Sequence, residues 1–318
     1  MRLLVAALLL QLVVGGAFIA LAVNDFPGIG SGDDDKPPTR SRDARAGGPV
    51  VPRANVDRFD EARAFALIRE QVDRYGPRPA GSDASRALAE HLRPLLPNGR
   101  FEPVPGGLRN VVGRLPGRLP AIVVGAHYDT EATIPGHVGA NDGAAGTAAV
   151  IEIARALRRE RRGAGTRQVR FVLFDGEEEP LGSPPDRFYA DALRGSKAFV
   201  RAHRTATREL LLLDYIANRG LRLPRESTST RPMWERVRAS AARVGVERVF
   251  PDGPGPGVIF DDHTPFLRAR LPAVDLIDFS YRYADTLRDT PDKLSTRSLD
   301  AVGETVVDYV RSAQRPLH

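Results

Sequence analysis

Short apolar runs alternate with stretches of helical periodicity along most of the chain. Residues 59–75 place Ala62, Phe65, Ala66, Ile68 and Val72 on one side of a helix. Residues 82–95 predict a second helix, with Ser82 or Asp83 as its cap. Further helices are predicted over 144–157, 232–244 and 299–313, and strands over 108–115, 120–126, 168–174, 209–216 and 273–277. Apolar strands of this kind, alternating with helices, predict an α/β fold with a largely parallel sheet covered on both faces.

Two segments stand outside this alternation. Residues 3–23 are uncharged and apolar, with only Arg2 before them. That length suffices to span a bilayer, at about 20 residues, and exceeds the usual signal-peptide core of roughly 7–15 residues. The Ala20-Leu21-Ala22 sequence also offers a small-residue cleavage pattern. Residues 1–23 are therefore expected to act as a signal anchor, or as a signal peptide cleaved after Ala22, with the rest of the chain extracytoplasmic. Residues 24–55 are rich in Gly, Pro, Asp and Arg and are expected to form a flexible linker. The folded domain is expected over 56–318, without internal repeats.

Composition narrows the chemistry. The 318 residues include no cysteine, which excludes disulfides, thiolate zinc sites and cysteine nucleophiles. The net charge of +6 comes almost wholly from arginine, since Lys36, Lys197 and Lys293 are the only lysines. The run at Arg158, Arg159, Arg161 and Arg162 reads as a solvated helix end, and no nucleic-acid partner is expected.

The polar residues at the ends of the apolar runs carry the chemistry. His127 and Asp129 end AIVVGAHYDT, Asp142 lies in GANDGAAG, Glu177 and Glu178 follow VRFVLFDG, and Asp214 ends LLLLD. Strand ends are where open α/β sheets place their ligands. Carboxylates buried there need a compensating charge, and a divalent cation can supply it. Asp142 is flanked by Gly139, Gly143 and Gly146, which permit close backbone approach, and can bridge two ions. His127 can offer a neutral imidazole, oriented by Asp129 two residues on. Glu177 and Glu178 are adjacent, so one can ligate while the other faces a substrate water. Asp214 can complete the set. Taken singly, an HxD pair, a Glu-Glu dipeptide or a glycine-rich turn is usually an ordinary surface feature; together and in this order they point to a metal site.

These motifs give the chain a resemblance to the zinc-dependent exopeptidases, the group that includes co-catalytic zinc aminopeptidases and glutaminyl-peptide cyclotransferases. The resemblance runs from about residue 59 to the carboxyl terminus. It rests on RYGPRPAGS (74–82), NVVGRLPG (110–117), GAHYDT (125–130), GANDGAAGTAAVIEIARAL (139–157), FVLFDGEEE (171–179), DDHTPFL (261–267) and DTLRDTPDKLS (285–295). It implies a three-layer fold with a mixed, mostly parallel sheet between helices, and one or two Zn2+ ions. It implies that Asp142 bridges or ligates metal, that Glu178 is a ligand and that Glu177 is the general base. His127 and Asp214 would hold the other zinc of a two-zinc enzyme; in a one-zinc cyclotransferase, Asp214 and Asp261 would join Glu177 in a hydrogen-bond network.

One position departs from the pattern. The family's last ligand is a histidine in an aromatic-His-Thr sequence, and here those places hold Ala284, Asp285 and Thr286. Asp285 can ligate zinc, and an oxygen-rich set would shift preference towards Mn2+. His263 reads as a structural histidine. The pocket tryptophans of cyclotransferases correspond to Ser183 and Ala284, and the only tryptophan, Trp234, sits on a predicted helix far from the motifs. The expected activity is hydrolysis of the N-terminal peptide bond of peptides or proteins by a metal-held water, with Glu177 taking its proton. The alternatives are pyroglutamate formation by a glutaminyl-peptide cyclotransferase, for which DDH and the stretch after the Glu pair speak, and a membrane-tethered binding protein without catalysis.

Overall fold

A computed structural model describes residues 50–163 and 165–314. The apolar segment at 3–23 lies outside the described residues; among those described, no helix is long and apolar enough to cross a membrane. Helices α1 (Glu61–Tyr75) and α2 (Asp83–Leu92) lead into strands β1 (Arg100–Val104), β2 (Leu108–Leu115) and β3 (Arg118–His127). Then come α3 (Gly146–Arg158), β4 (Arg167–Phe174), α4 (Arg194–His203), β5 (Thr207–Asp214), α5 (Arg231–Arg243), α6 (His263–Arg268), β6 (Ala273–Ile277) and α7 (Thr296–Ala313). Asp60 caps α1 by accepting from Arg63 N, and Ser82 caps α2 by accepting from Ser85 N. Each such cap contributes about 1 kcal/mol.

The six strands form one sheet in the order β1-β2-β4-β3-β5-β6. β4, β3, β5 and β6 are mutually parallel, while β2 runs antiparallel to both β1 and β4. Ile122, Val124, Phe171, Leu211, Leu213, Val274 and Leu276 face one way, against helices including α1, α3, α5 and α7. Val123, Val172, Phe174, Leu210 and Leu212 face the other way, against Phe199 of α4 and Phe266 of α6. Each fully buried side chain of this size contributes about 1.5–3 kcal/mol, so both faces need their helical cover. The result is the three-layer α/β sandwich with a mixed, mostly parallel sheet.

The packed chain starts earlier than the composition implied. Val51 and Ala54 are buried in the core. Ala54 N donates to Asp300, Asn55 N donates to the Val244 carbonyl, and Glu304 accepts from the backbone of Arg58 and Phe59. The end of the linker expected at 24–55 thus packs with the domain, because Val51 and Ala54 are buried and Asp300 of α7 and the Val244 carbonyl take up the backbone donors of Ala54 and Asn55.

Candidate metal centre

Chain order turns back at β3. The crossover from β3 through α3 places β4 on one side of it, and the crossover from β4 through α4 places β5 on the other. A crevice at the carboxyl end of β3 follows from that reversal. His127 is the last residue of β3, Asp214 the last of β5, and Glu177 and Glu178 follow β4 by three and four residues. Parallel pairing brings all four to one edge of the sheet.

Asp142 enters from the loop before α3. It sits in the turn Ala140–Ala145, at a break in helical geometry where Asp142 has φ −82° and ψ 102° and Gly143 has φ 81°. A Cβ at residue 143 would come within 2.8 Å of the Asp129 carbonyl, and one at residue 146 within 2.2 Å of the Leu213 carbonyl. Only glycine lets this loop press against β3 and β5. The Asp289 carboxylate accepts the N–H groups of Asn141 and Asp142, each at 3.0 Å, and Tyr281 Oη donates to it at 2.7 Å.

Three donors converge here. His127 Nε2 is 3.1 Å from Asp142 Oδ1 and 3.5 Å from Asp214 Oδ1. His127, Glu177 and Glu178 form a second group that also brings donor atoms within 4.8 Å of one another. Asp129 lies 3.8 Å from His127 Nδ1, and its two oxygens accept from Glu177 N and Glu178 N at 3.2 Å. It therefore sets the base of the Glu pair as well as facing the imidazole. From the other side, Leu193 N and Arg194 N at the start of α4 donate to the Glu177 and Gly176 carbonyls.

The electrostatics fit a cation. Burial, reinforced by neighbouring carboxylates, pushes Glu177 and Glu178 well above the usual carboxylate range, although His127 opposes the rise. Burial likewise raises Asp214 to about 7, with Asp261 and Asp142 adding to it against the pull of His127. Burial opposes ionisation of Asp142 too, yet the two imidazoles beside it, His127 and His137, hold it well below the usual range. So many buried carboxylates, with imidazole and carboxylate oxygen as the donor types, fit a divalent metal of the zinc kind.

Asp261 stands slightly apart. It raises the proton affinity of Glu177, and its own donor atoms group with those of His263 and Asp275. His263 is fully buried, 2.9 Å from Thr228 Oγ1, 3.4 Å from Glu226 and 3.6 Å from Asp275, at the start of α6. Asp285 is exposed, with Oδ1 3.1 Å from Tyr215 Oη; among the described residues, no converging donor group includes it. Ala284 is buried with Tyr215, Ile277 and Tyr281, Ser183 donates to Asp191, and Trp234 is buried against Phe250.

Four residues of the site carry no role in the sequence reading. Arg78, fully buried, donates to the carbonyls of Tyr128, Val138, Gly139 and Asp142 and so ties the loop that carries Asp142 to the end of β3. Tyr215, at φ 46°, donates to Asp142 Oδ2 at 3.0 Å. Asp289 is the backbone anchor. His137 is fully buried, with Nε2 3.3 Å from Asp142 Oδ2. Arg78 and Asp289 lie inside the motifs RYGPRPAGS and DTLRDTPDKLS, and Tyr215 follows Asp214; those neighbourhoods were the available signal.

The model of peptidase family M28 matches residues 110–310. The chain is 25% identical over 309 residues to the glutaminyl-peptide cyclotransferase of Boiga irregularis, covering 82% of each. A glutaminyl cyclase from an Acidobacteriales bacterium superposes with a TM-score of 0.69 at 26% identity, over 83% of this chain and 98% of that one. A leucine aminopeptidase precursor from Bacteroides thetaiotaomicron superposes with a TM-score of 0.71 at 25% identity, over 81% and 98%.

Proposed function

The chain belongs to peptidase family M28, and from that premise we propose that it is a metal-dependent aminopeptidase that removes the first residue of peptides or proteins. The observation that carries the reading is the convergence of His127, Asp142 and Asp214 beside Glu177. A complete donor set on the His127 side of Asp142, next to a buried carboxylate base, suits hydrolysis.

His127, Asp142, Asp214 and Glu178 would hold the metal, with Asp142 shared if two ions bind. A zinc ion there supplies Lewis acidity towards a carbonyl and acidifies water. Glu177 takes the proton of the attacking water and returns it to the leaving amine as the C–N bond breaks. Its raised proton affinity favours taking up the water's proton. Asp261 supports that affinity by repulsion. Asp129 fixes the backbone of the Glu pair, so the carboxylates keep their distinct directions.

A second reading is a glutaminyl-peptide cyclotransferase. The names of the relatives favour it, as does the position of Asp261 within range of Glu177. Against it stands the place of the only tryptophan, Trp234, in the core and not at the site. The test is to give the zinc-loaded full chain a panel of peptides with free or acetylated amino termini. Release of the first amino acid from the free peptides alone is expected; release of neither free amino acid nor ammonia would overturn both readings.

A further inference from the structure

Asp142 faces an imidazole nitrogen on each of its carboxylate oxygens. His127 Nε2 lies 3.1 Å from Oδ1 and His137 Nε2 lies 3.3 Å from Oδ2. Nothing in the motif pattern gives residue 137 a role. Yet it is fully buried, and among the described residues its Nε2 meets only the Asp142 carboxylate, with no well-formed hydrogen bond. Its other nitrogen, Nδ1, is 3.0 Å from the Thr286 carbonyl, which can only accept. That contact places a proton on Nδ1 and makes Nε2, aimed at Asp142, the nitrogen that a metal would bind in place of a proton. Metal-ligating histidines are commonly oriented in this way, by donating the remote N–H to a backbone carbonyl.

We propose that His137 is a metal ligand at the Oδ2 side of Asp142, supplying the imidazole that this chain lacks at residue 285. The proposal rests on the metal-dependent reading above and adds a second ion position to it. Asp142 would then bridge two ions, each carrying one histidine: His127 with Asp214 on the Oδ1 side, His137 on the Oδ2 side. The turn at Ile134–His137, closed by His137 N donating to the Ile134 carbonyl, carries the ring inward. The orienting carbonyl belongs to Thr286, directly after Asp285, so the segment that would have carried the ligand positions its replacement. Asp285, exposed and hydrogen-bonded to Tyr215, is left to act through that tyrosine. With two imidazoles the site favours zinc over the harder manganese.

The test uses the full chain, stripped of metal and then titrated with Zn2+ or Co2+ alone. Wild-type protein is expected to bind two zinc equivalents. Its Co2+ form should show two exchangeable, hyperfine-shifted imidazole N–H proton signals, one from each histidine. In His137→Gln the second equivalent should weaken by at least about tenfold while the first is unchanged, and one N–H signal should vanish. Asp285→Ala should keep both signals. Retention of the first equivalent shows that the variant is folded, and the wild-type signal count stands without any variant. Unchanged binding of both equivalents in His137→Gln, or one N–H signal in a wild-type protein that holds one zinc, would overturn the proposal. A wild-type protein that binds no zinc would overturn the metal reading with it.

Discussion

Asp289 holds Asp142 from behind: its carboxylate accepts the Asp142 N–H at 3.0 Å and the N–H of the preceding Asn141 at the same distance. The side chain of Asp142 is thereby free to face both histidines while its backbone sits at a break between two helical turns. Asp289→Ala should release this loop and weaken zinc binding by about 10–100-fold, the usual range for residues that orient a ligand. Calorimetric zinc titration measures it. Affinity equal to wild type would show that the loop keeps its shape without Asp289.

Glu177→Gln preserves volume and removes the base. Turnover should fall by about 10²–10⁴-fold, while zinc content stays at the wild-type level. Metal analysis alongside the kinetic assay separates the two effects. An active Glu177→Gln enzyme would remove Glu177 from the chemistry.

Arg78 is a structural tie. Its guanidinium reaches five carbonyls, those of Gly76, Tyr128, Val138, Gly139 and Asp142, and burial brings its pKa down to about 10. Arg78→Met leaves those carbonyls unpaired, at a cost of about 3 kcal/mol. The zinc-loaded variant should melt roughly 10 °C below wild type. An unchanged melting temperature would show that water satisfies the carbonyls equally well.

The metal-free protein should lose stability as pH rises. Burial raises Asp214 to about 7 and lifts Glu177 and Glu178 well above the usual range, whereas the unfolded chain releases these protons near pH 4. The folded state therefore binds more protons than the unfolded state between about pH 4 and 7, and stability declines across that window. Zinc displaces the same protons, so added zinc should raise the melting temperature more at pH 7 than at pH 5. Thermal melts with and without chelator check both statements. A metal-free protein that gains stability towards pH 7 would contradict the charge arrangement described here.

The strands that carry the site were legible because apolar residues fill most of both faces and the site's polar residues come at or beyond the exit. β2 and β6 fall on the predicted 108–115 and 273–277, and β3, β4 and β5 lie within two residues of theirs. β1 was not legible: Arg100–Val104 is an edge strand with Glu102 and Pro103, only partly covered. α4 was missed because its buried apolar residues are few, chiefly Phe199 and Val200, and it follows a Gly- and Pro-rich stretch. At the candidate site, His127, Asp214, Glu177 and Glu178 were legible at or just after strand ends, and Asp142 in its glycine-rich loop. His137 did not, because a loop residue has no periodicity; its approach to Asp142 depends on a turn and on Thr286, 149 positions away. Asp285 sits where the resemblance puts a ligand, but its backbone is at φ 51° and its side chain is exposed.

The most direct test of the central claim is the mass of the product formed from a glutamine-initiated peptide by the zinc-reconstituted full-length chain. Loss of the whole first residue is the expected result and makes the enzyme an aminopeptidase. Loss of ammonia alone, with the peptide otherwise intact, would contradict that claim and make it a cyclotransferase.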